Sequence, residues 1–121
     1  MMSEKDEILS GLLLELRRGT TVLSVLCQLS TSKYGYSLVQ QFSDNNVPIE
    51  ANTLYPLLRR LEKQGLLESE WETSTTKPRK YYKTTPLGNE VYESLKEAWL
   101  NMVETMNKLM MEDNKEDGET V

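Results

Sequence analysis

The chain has 121 residues, of which 38% are hydrophobic and 27% charged, with a formal net charge of −5. That describes one domain with a modest core, small enough to gain from a partner subunit. There is no histidine and a single cysteine, Cys27, which excludes an internal disulfide, a histidine-bearing zinc site and a histidine-based catalytic triad. No run is long enough to cross a membrane, and the N-terminus lacks the basic-then-apolar order of a secretory leader, so a cytoplasmic location is expected.

Residues 5–17 carry Ile8, Leu9, Leu12, Leu13 and Leu16 at helical spacing, and the stripe stops at Arg17-Arg18-Gly19. Thr20 is positioned to cap a second helix with Val22, Val25, Leu26 and Leu29 on its apolar side. Cys27 falls among them and reads as a small buried apolar residue rather than a redox sensor. Ser32 is the expected cap of a third helix that buries Tyr34, Leu38, Val39 and Phe42 and ends at Asp44-Asn45-Asn46. Val47-Pro48-Ile49 is an extended connector.

The fourth helix, 51–64, has two chemically distinct faces. Leu54, Leu57, Leu58 and Leu61 recur at i, i+3, i+4 and i+7, a core-facing stripe. Asn52, Pro56, Arg59 and Lys63 line the opposite side, with Thr53, Tyr55 and Arg60 at the margins. Pro56 removes the helical bond to the carbonyl of Asn52. Gly65 is a natural terminator. The period then changes from 3.6 to 2: Leu66–Glu72 and Arg79–Thr84 read as strands joined by a flexible tip at Thr73–Pro78. Pro86 opens a last helix that runs to about Met111.

The expected class is therefore mainly α with a small β-hairpin: a winged helix-turn-helix with extra N- and C-terminal dimerisation helices. Its expected parts are an N-terminal helix (1–18), a winged-helix unit (19–85), a dimerisation helix (86–111) and a disordered acidic tail (112–121). That tail holds five acids against Lys115, leaving the remaining 111 residues at only −1, and Lys77–Lys83 contains four cations and no acid. Local field matters more here than total charge.

The segments Arg17-Arg18-Gly19-Thr20, Tyr34-Gly35-Tyr36-Ser37-Leu38, Thr53–Glu62, Gly65-Leu66-Leu67 and Pro78-Arg79-Lys80-Tyr81-Tyr82, continued by Thr84–Gly88, together resemble the PadR-like family of bacterial transcriptional regulators. The resemblance spans roughly residues 17–88. It implies a winged helix, a homodimer, and repression through a palindromic operator in double-stranded DNA. The single C-terminal helix is similar to the shorter branch of that family. The phenolic-acid regulators belong to the longer branch, so their ligand does not carry over.

On this reading Asn52, Thr53 and Tyr55 approach bases or the adjacent backbone, while Arg59, Arg60 and Lys63 hold phosphates. Lys77, Arg79 and Lys80 on the wing are expected to meet phosphate or the minor groove, and Lys33 and Tyr36 a phosphate at the start of the third helix. Either set could instead be a solvated, solubilising surface. The last helix carries Tyr92, Leu95, Trp99, Met102, Met106 and Leu109 at 3-4-3-4 spacing, a heptad seam that a second chain would cover together with Leu9, Leu12, Leu13 and Leu16. Trp99 matches a tryptophan that, in some multidrug-sensing members of the resembled family, sandwiches flat aromatic compounds. Trp99, Met102 and Met106 are thus candidates for a small planar hydrophobic ligand, or else simply fill the interface. The alternative for the whole chain is a winged-helix protein-interaction module without sequence-specific DNA binding. No nucleophile–base pair or phosphate-cradling loop points to an enzyme, and the reading needs neither cofactor nor metal.

Overall fold

The computed structural model describes residues 1–116. In chain order it contains α1 (Glu4–Arg18), α2 (Thr21–Gln28), β1 (Lys33–Tyr34), α3 (Gly35–Asp44), α4 (Ala51–Lys63), β2 (Leu67–Glu72), β3 (Arg79–Thr84) and α5 (Pro86–Glu116). Helices α2, α3 and α4 enclose one core, closed on the remaining side by the sheet and the first turns of α5. Val25, Leu26 and Leu29 of the α2 region, Leu38 and Phe42 of α3, all four stripe leucines of α4, Leu67 and Tyr82 make up that core. Burying each such side chain stabilises the fold by roughly 1.5–3 kcal/mol before conformational entropy is counted. The apolar spacing of these helices thus decides which faces meet.

The expected hairpin is the larger part of a three-stranded antiparallel sheet of order β1-β3-β2. The third strand displaces the expected start of α3. Lys33 pairs with Tyr82 and Tyr34 with Tyr81, so the chain stays extended through Tyr34, which takes the N-cap position in place of Ser32. Backbone pairing to the open edge of β3 satisfies groups that a longer helix would otherwise have to bond. At α2, Thr20 occupies the N-cap position, but its hydroxyl donates back to the Arg17 carbonyl of α1 (2.8 Å) rather than capping α2.

Gly65 does what its position suggests. With φ of +80°, it lets Leu66 N–H bond Leu61 O (2.9 Å) while its own N–H bonds Glu62 O (3.0 Å), the double closure that ends a helix at a left-handed residue. The segment after β3 then clasps the fold. Thr84 N–H donates to Leu29 O (2.9 Å), Thr85 N–H to Leu66 O (3.1 Å), and the Thr85 hydroxyl to Gly65 O (2.6 Å). That hydroxyl also accepts from Gly88 N–H (3.0 Å), capping the start of α5.

The terminal helices behave differently from the core. A reciprocal Ser3–Asp6 capping box opens α1, yet no residue of α1 is buried. Only the start of α5 packs down, with Val91 and Tyr92 against the core. Past Met111 the helix continues to Glu116, where the sequence holds no glycine or proline to stop it before Gly118. The helix thus runs five residues past the expected end near Met111. Residues 117–121 of the expected tail lie outside the described residues. No helix of the described residues is long and apolar enough to cross a membrane.

Candidate nucleic-acid interface

α4 presents Asn52, Thr53, Pro56, Arg59, Arg60 and Lys63 to solvent, directly behind the buried leucine row. The two faces are one consequence of the 3.6-residue period, so packing the leucines fixes the direction in which the polar residues point. Pro56 sits inside the helix, which removes the helical donor to the outward-facing Asn52 carbonyl.

Four expected contacts have other roles in the structure. Tyr55 is half-buried, and its ring lies where a side chain on Gly35 would be, with Cε1 2.5 Å from an ideal Cβ at that position. It props α4 against the start of α3. The Lys33 ammonium donates to the Gln28 backbone oxygen (2.9 Å) and to Gln28 Oε1 (3.3 Å), so it closes the α2–β1 connection. Lys80 pairs with Glu62 of α4 (3.4 Å) and lies over the Tyr82 ring, 5.3 Å from its centroid. Tyr92, expected at the subunit seam, packs on its own core beside Cys27; hydrogen bonding with that thiol, and secondarily burial, raise the Tyr92 phenol above its ordinary pKa.

Glu62 is a structural residue that the sequence did not single out. One carboxylate oxygen accepts from the Ser69 hydroxyl and the other faces Lys80. This ties both wing strands to α4. The alternation of β3 is as expected: Tyr82 and Thr84 point inward with Lys80, whereas Arg79, Tyr81 and Lys83 point outward. Arg79 stacks on the Tyr34 ring at 4.9 Å, and Tyr34 meets Tyr81 edge-on at 5.5 Å, bracing the wing against β1. Register also places Glu72 opposite Arg79 and Glu68 opposite Lys83. The wing's outer surface is therefore mixed in charge, a pairing that a count over residues 77–83 alone cannot reveal.

At the tip, Lys77 is exposed and its carbonyl accepts from the Thr75 hydroxyl (2.9 Å). Hydrogen bonds from the Ser74 hydroxyl and backbone hold the Glu72 carboxyl below its ordinary pKa. Tyr36 is exposed in the first turn of α3, its ring nearly parallel to that of Tyr34. Thus Tyr36, Asn52, Thr53, Arg59, Arg60, Lys63, Lys77 and Arg79 are exposed, while Lys33, Tyr55 and Lys80 are half-buried and engaged within the chain.

Away from this surface, Trp99 and Tyr92 border a hollow of about 330 Å³ between α2, α3 and α5, together with Leu23, Cys27 and Lys96. Met102 and Met106 lie further along α5 and are exposed. Cys27 is exposed as well, a correction to its expected burial: the hollow leaves that side of α2 uncovered.

The arrangement has close counterparts. Residues 22–94 match the model of the transcriptional regulator PadR-like family. A crystal structure of a PadR family transcriptional regulator from Eggerthella lenta superposes with a TM-score of 0.83 at 52% identity, covering 88% of this chain and 95% of that one. A PadR-like transcriptional regulator from Bacillus cereus gives a TM-score of 0.70 at 29% identity, over 79% of this chain and 96% of that one. Transcriptional regulator Rv3488 of Mycobacterium tuberculosis is 35% identical over 75 residues, 61% of this chain and 70% of that protein. PadR regulators are winged helix-turn-helix proteins that bind DNA and are not enzymes. With its buried α4 stripe, its three-stranded sheet and a family match over residues 22–94, the chain belongs to the PadR-like family of transcriptional regulators.

Proposed function

We propose that the chain acts in the cytoplasm as a homodimeric repressor that occupies an inverted-repeat operator and releases it when a small planar hydrophobic molecule binds. The observation that carries this reading is the solvent face of α4, where two short hydrogen-bonding side chains precede three exposed cations that form no ion pair among the described residues. In a major groove the early residues reach base edges and the later ones phosphates. The apolar rows left open on α1 and α5, with Leu12, Leu16, Trp99, Met102, Met106 and Leu109 all exposed, support pairing of two chains. Such a pair would set its recognition helices about 34 Å apart, one turn of duplex.

Titrating the protein against its own upstream region and against a scrambled duplex tests this directly, with mass determination of the complex. The expected result is two chains per duplex and a clear preference for one sequence. Asn52→Ala should then narrow that preference by about 1–3 kcal/mol per half-site contact, while binding to the scrambled duplex stays as it was. Unchanged discrimination removes Asn52 from base reading.

For release, Trp99 beside an opening of suitable size supports a flat aromatic ligand. Planar dyes at micromolar concentration should quench the emission of Trp99, in a Trp71→Phe background, and lower operator affinity in parallel. Quenching without loss of operator binding leaves Trp99 as packing alone.

A further inference from the structure

At the end of α4 remote from the Glu62–Lys80 link, a second cationic group stands beside the recognition helix. A hollow of about 490 Å³ brings together Arg17 and Arg18 from the end of α1, Thr20 and Thr21 from the start of α2, Pro48 of the α3–α4 connection and Thr53 on the reading face of α4. Both arginines are exposed, and neither forms an ion pair among the described residues. The Arg17 carbonyl accepts both the backbone N–H (3.0 Å) and the hydroxyl (2.8 Å) of Thr20, which fixes the bend between α1 and α2 and so holds the pair at this edge. The nearest acid on the connection, Glu50, lines a separate hollow on the α3 side with Val39 and Ser43.

Resting on the DNA-binding reading above, we infer that Arg17 and Arg18 form a second phosphate-binding site, which grips the operator backbone on the flank of the recognition helix opposite the wing. Thr53 ties this site to the groove: a duplex that brings a base or phosphate to Thr53 places the next phosphates along its strand over the hollow. Guanidinium groups suit this task because their fork matches phosphate oxygens bidentately. Because α1 also carries the apolar row proposed to meet the second copy, this flank faces the two-fold axis and the wing faces outward. The two copies of the site would then straddle the centre of the operator, contributing affinity that is indifferent to base sequence.

The test uses the full-length protein, a palindromic duplex that it binds, and the variant Arg17→Gln/Arg18→Gln. Each phosphate contact contributes about 0.9 to the slope of log affinity against log salt. Losing one or two contacts in each of two subunits should flatten that slope by roughly 2–4, with the preference for operator over scrambled duplex unchanged. A duplex with neutral methylphosphonate linkages at its centre should cost the parent protein the same slope and leave the variant indifferent. An unaltered slope in a variant that remains dimeric overturns the inference, as does a variant that falls apart into monomers, since the arginines would then serve the subunit contact. A parent protein that binds no duplex at low salt overturns the DNA-binding reading itself, and this inference with it.

Discussion

Replacing Gly88 by alanine should strongly destabilise the protein. A Cβ at this position would lie 2.0 Å from the Leu66 carbonyl oxygen, 3.0 Å from its carbon and 3.4 Å from its Cα. All three neighbours are backbone, so no rotamer relieves the clash; either α5 or the turn after α4 must move. Both are pinned, because the Leu66 oxygen accepts Thr85 N–H and the Thr85 hydroxyl caps Gly88 while bonding Gly65. Overpacking in a well-fitted interior costs typically about 1–3 kcal/mol and occasionally more, and this site belongs at the upper end. At roughly 4 °C per kcal/mol for a domain of this size, the melting temperature should fall by about 10 °C or more. Gly11→Ala is the control. Nothing lies within 4 Å of that position, and alanine is favoured over glycine in a helix by about 1 kcal/mol. Coincident melting of the Gly88 variant and the parent would show that α5 can approach the turn after α4 differently.

That clash matters for function because α5 joins the reading unit to the proposed dimer seam. Its first turns are fastened to the ends of α2, α4 and β3, the next turns border the hollow beside α2 and α3, and the residues beyond are mostly exposed. A change in the angle between two α5 helices would therefore be transmitted to α4 through short, hydrogen-bonded joints rather than through a loose linker. A ligand that binds one angle better than another shifts operator affinity by its differential affinity for the two, and by no more.

The helices and their inward faces were legible from spacing alone, because burying a 3.6-period stripe is the main way this chain can offset its conformational entropy. Gly65 and Pro86 were legible too, since their backbone chemistry is local. What escaped depends on partners distant in sequence. Lys33 and Tyr34 are too few to show alternation, and they become a strand only because β3 offers an open edge. Tyr55 lies on the margin of the helical wheel, and only the missing side chain at Gly35 draws it inward. Lys80 looked like a free cation until the fold set Glu62 beside it, and Cys27 looked buried because its stripe was read without the hollow that adjoins it. Arg17 and Arg18 were visible as a helix terminator, yet their nearness to Thr53 is a tertiary fact. The candidate surface was thus readable in its exposed members and obscure in those that support it.

Removing the three cations of α4 together, as Arg59→Ala/Arg60→Ala/Lys63→Ala, should abolish operator binding at physiological salt while leaving the fold intact. All three side chains are exposed, and none forms an ion pair among the described residues. Alanine is a better helix former than any of them, so stability should change by no more than about 0.5 kcal/mol. In a dimer the variant removes up to six positive charges from the groove-facing surface. At about 0.9 per contact, the slope of log affinity against log salt should fall by as much as roughly 5. Between 50 and 200 mM salt a protein with that many phosphate contacts gains or loses about 10³–10⁵ in affinity, so the measurement has ample range. The loss should fall on operator and scrambled duplex alike, in contrast to Asn52→Ala, which is expected to affect only their difference. That contrast separates phosphate holding from base reading on a single helix. A triple variant that keeps its operator affinity and its salt slope would mean that α4 faces something other than a nucleic acid, and the same polar surface would then have to be understood as a docking face for a protein.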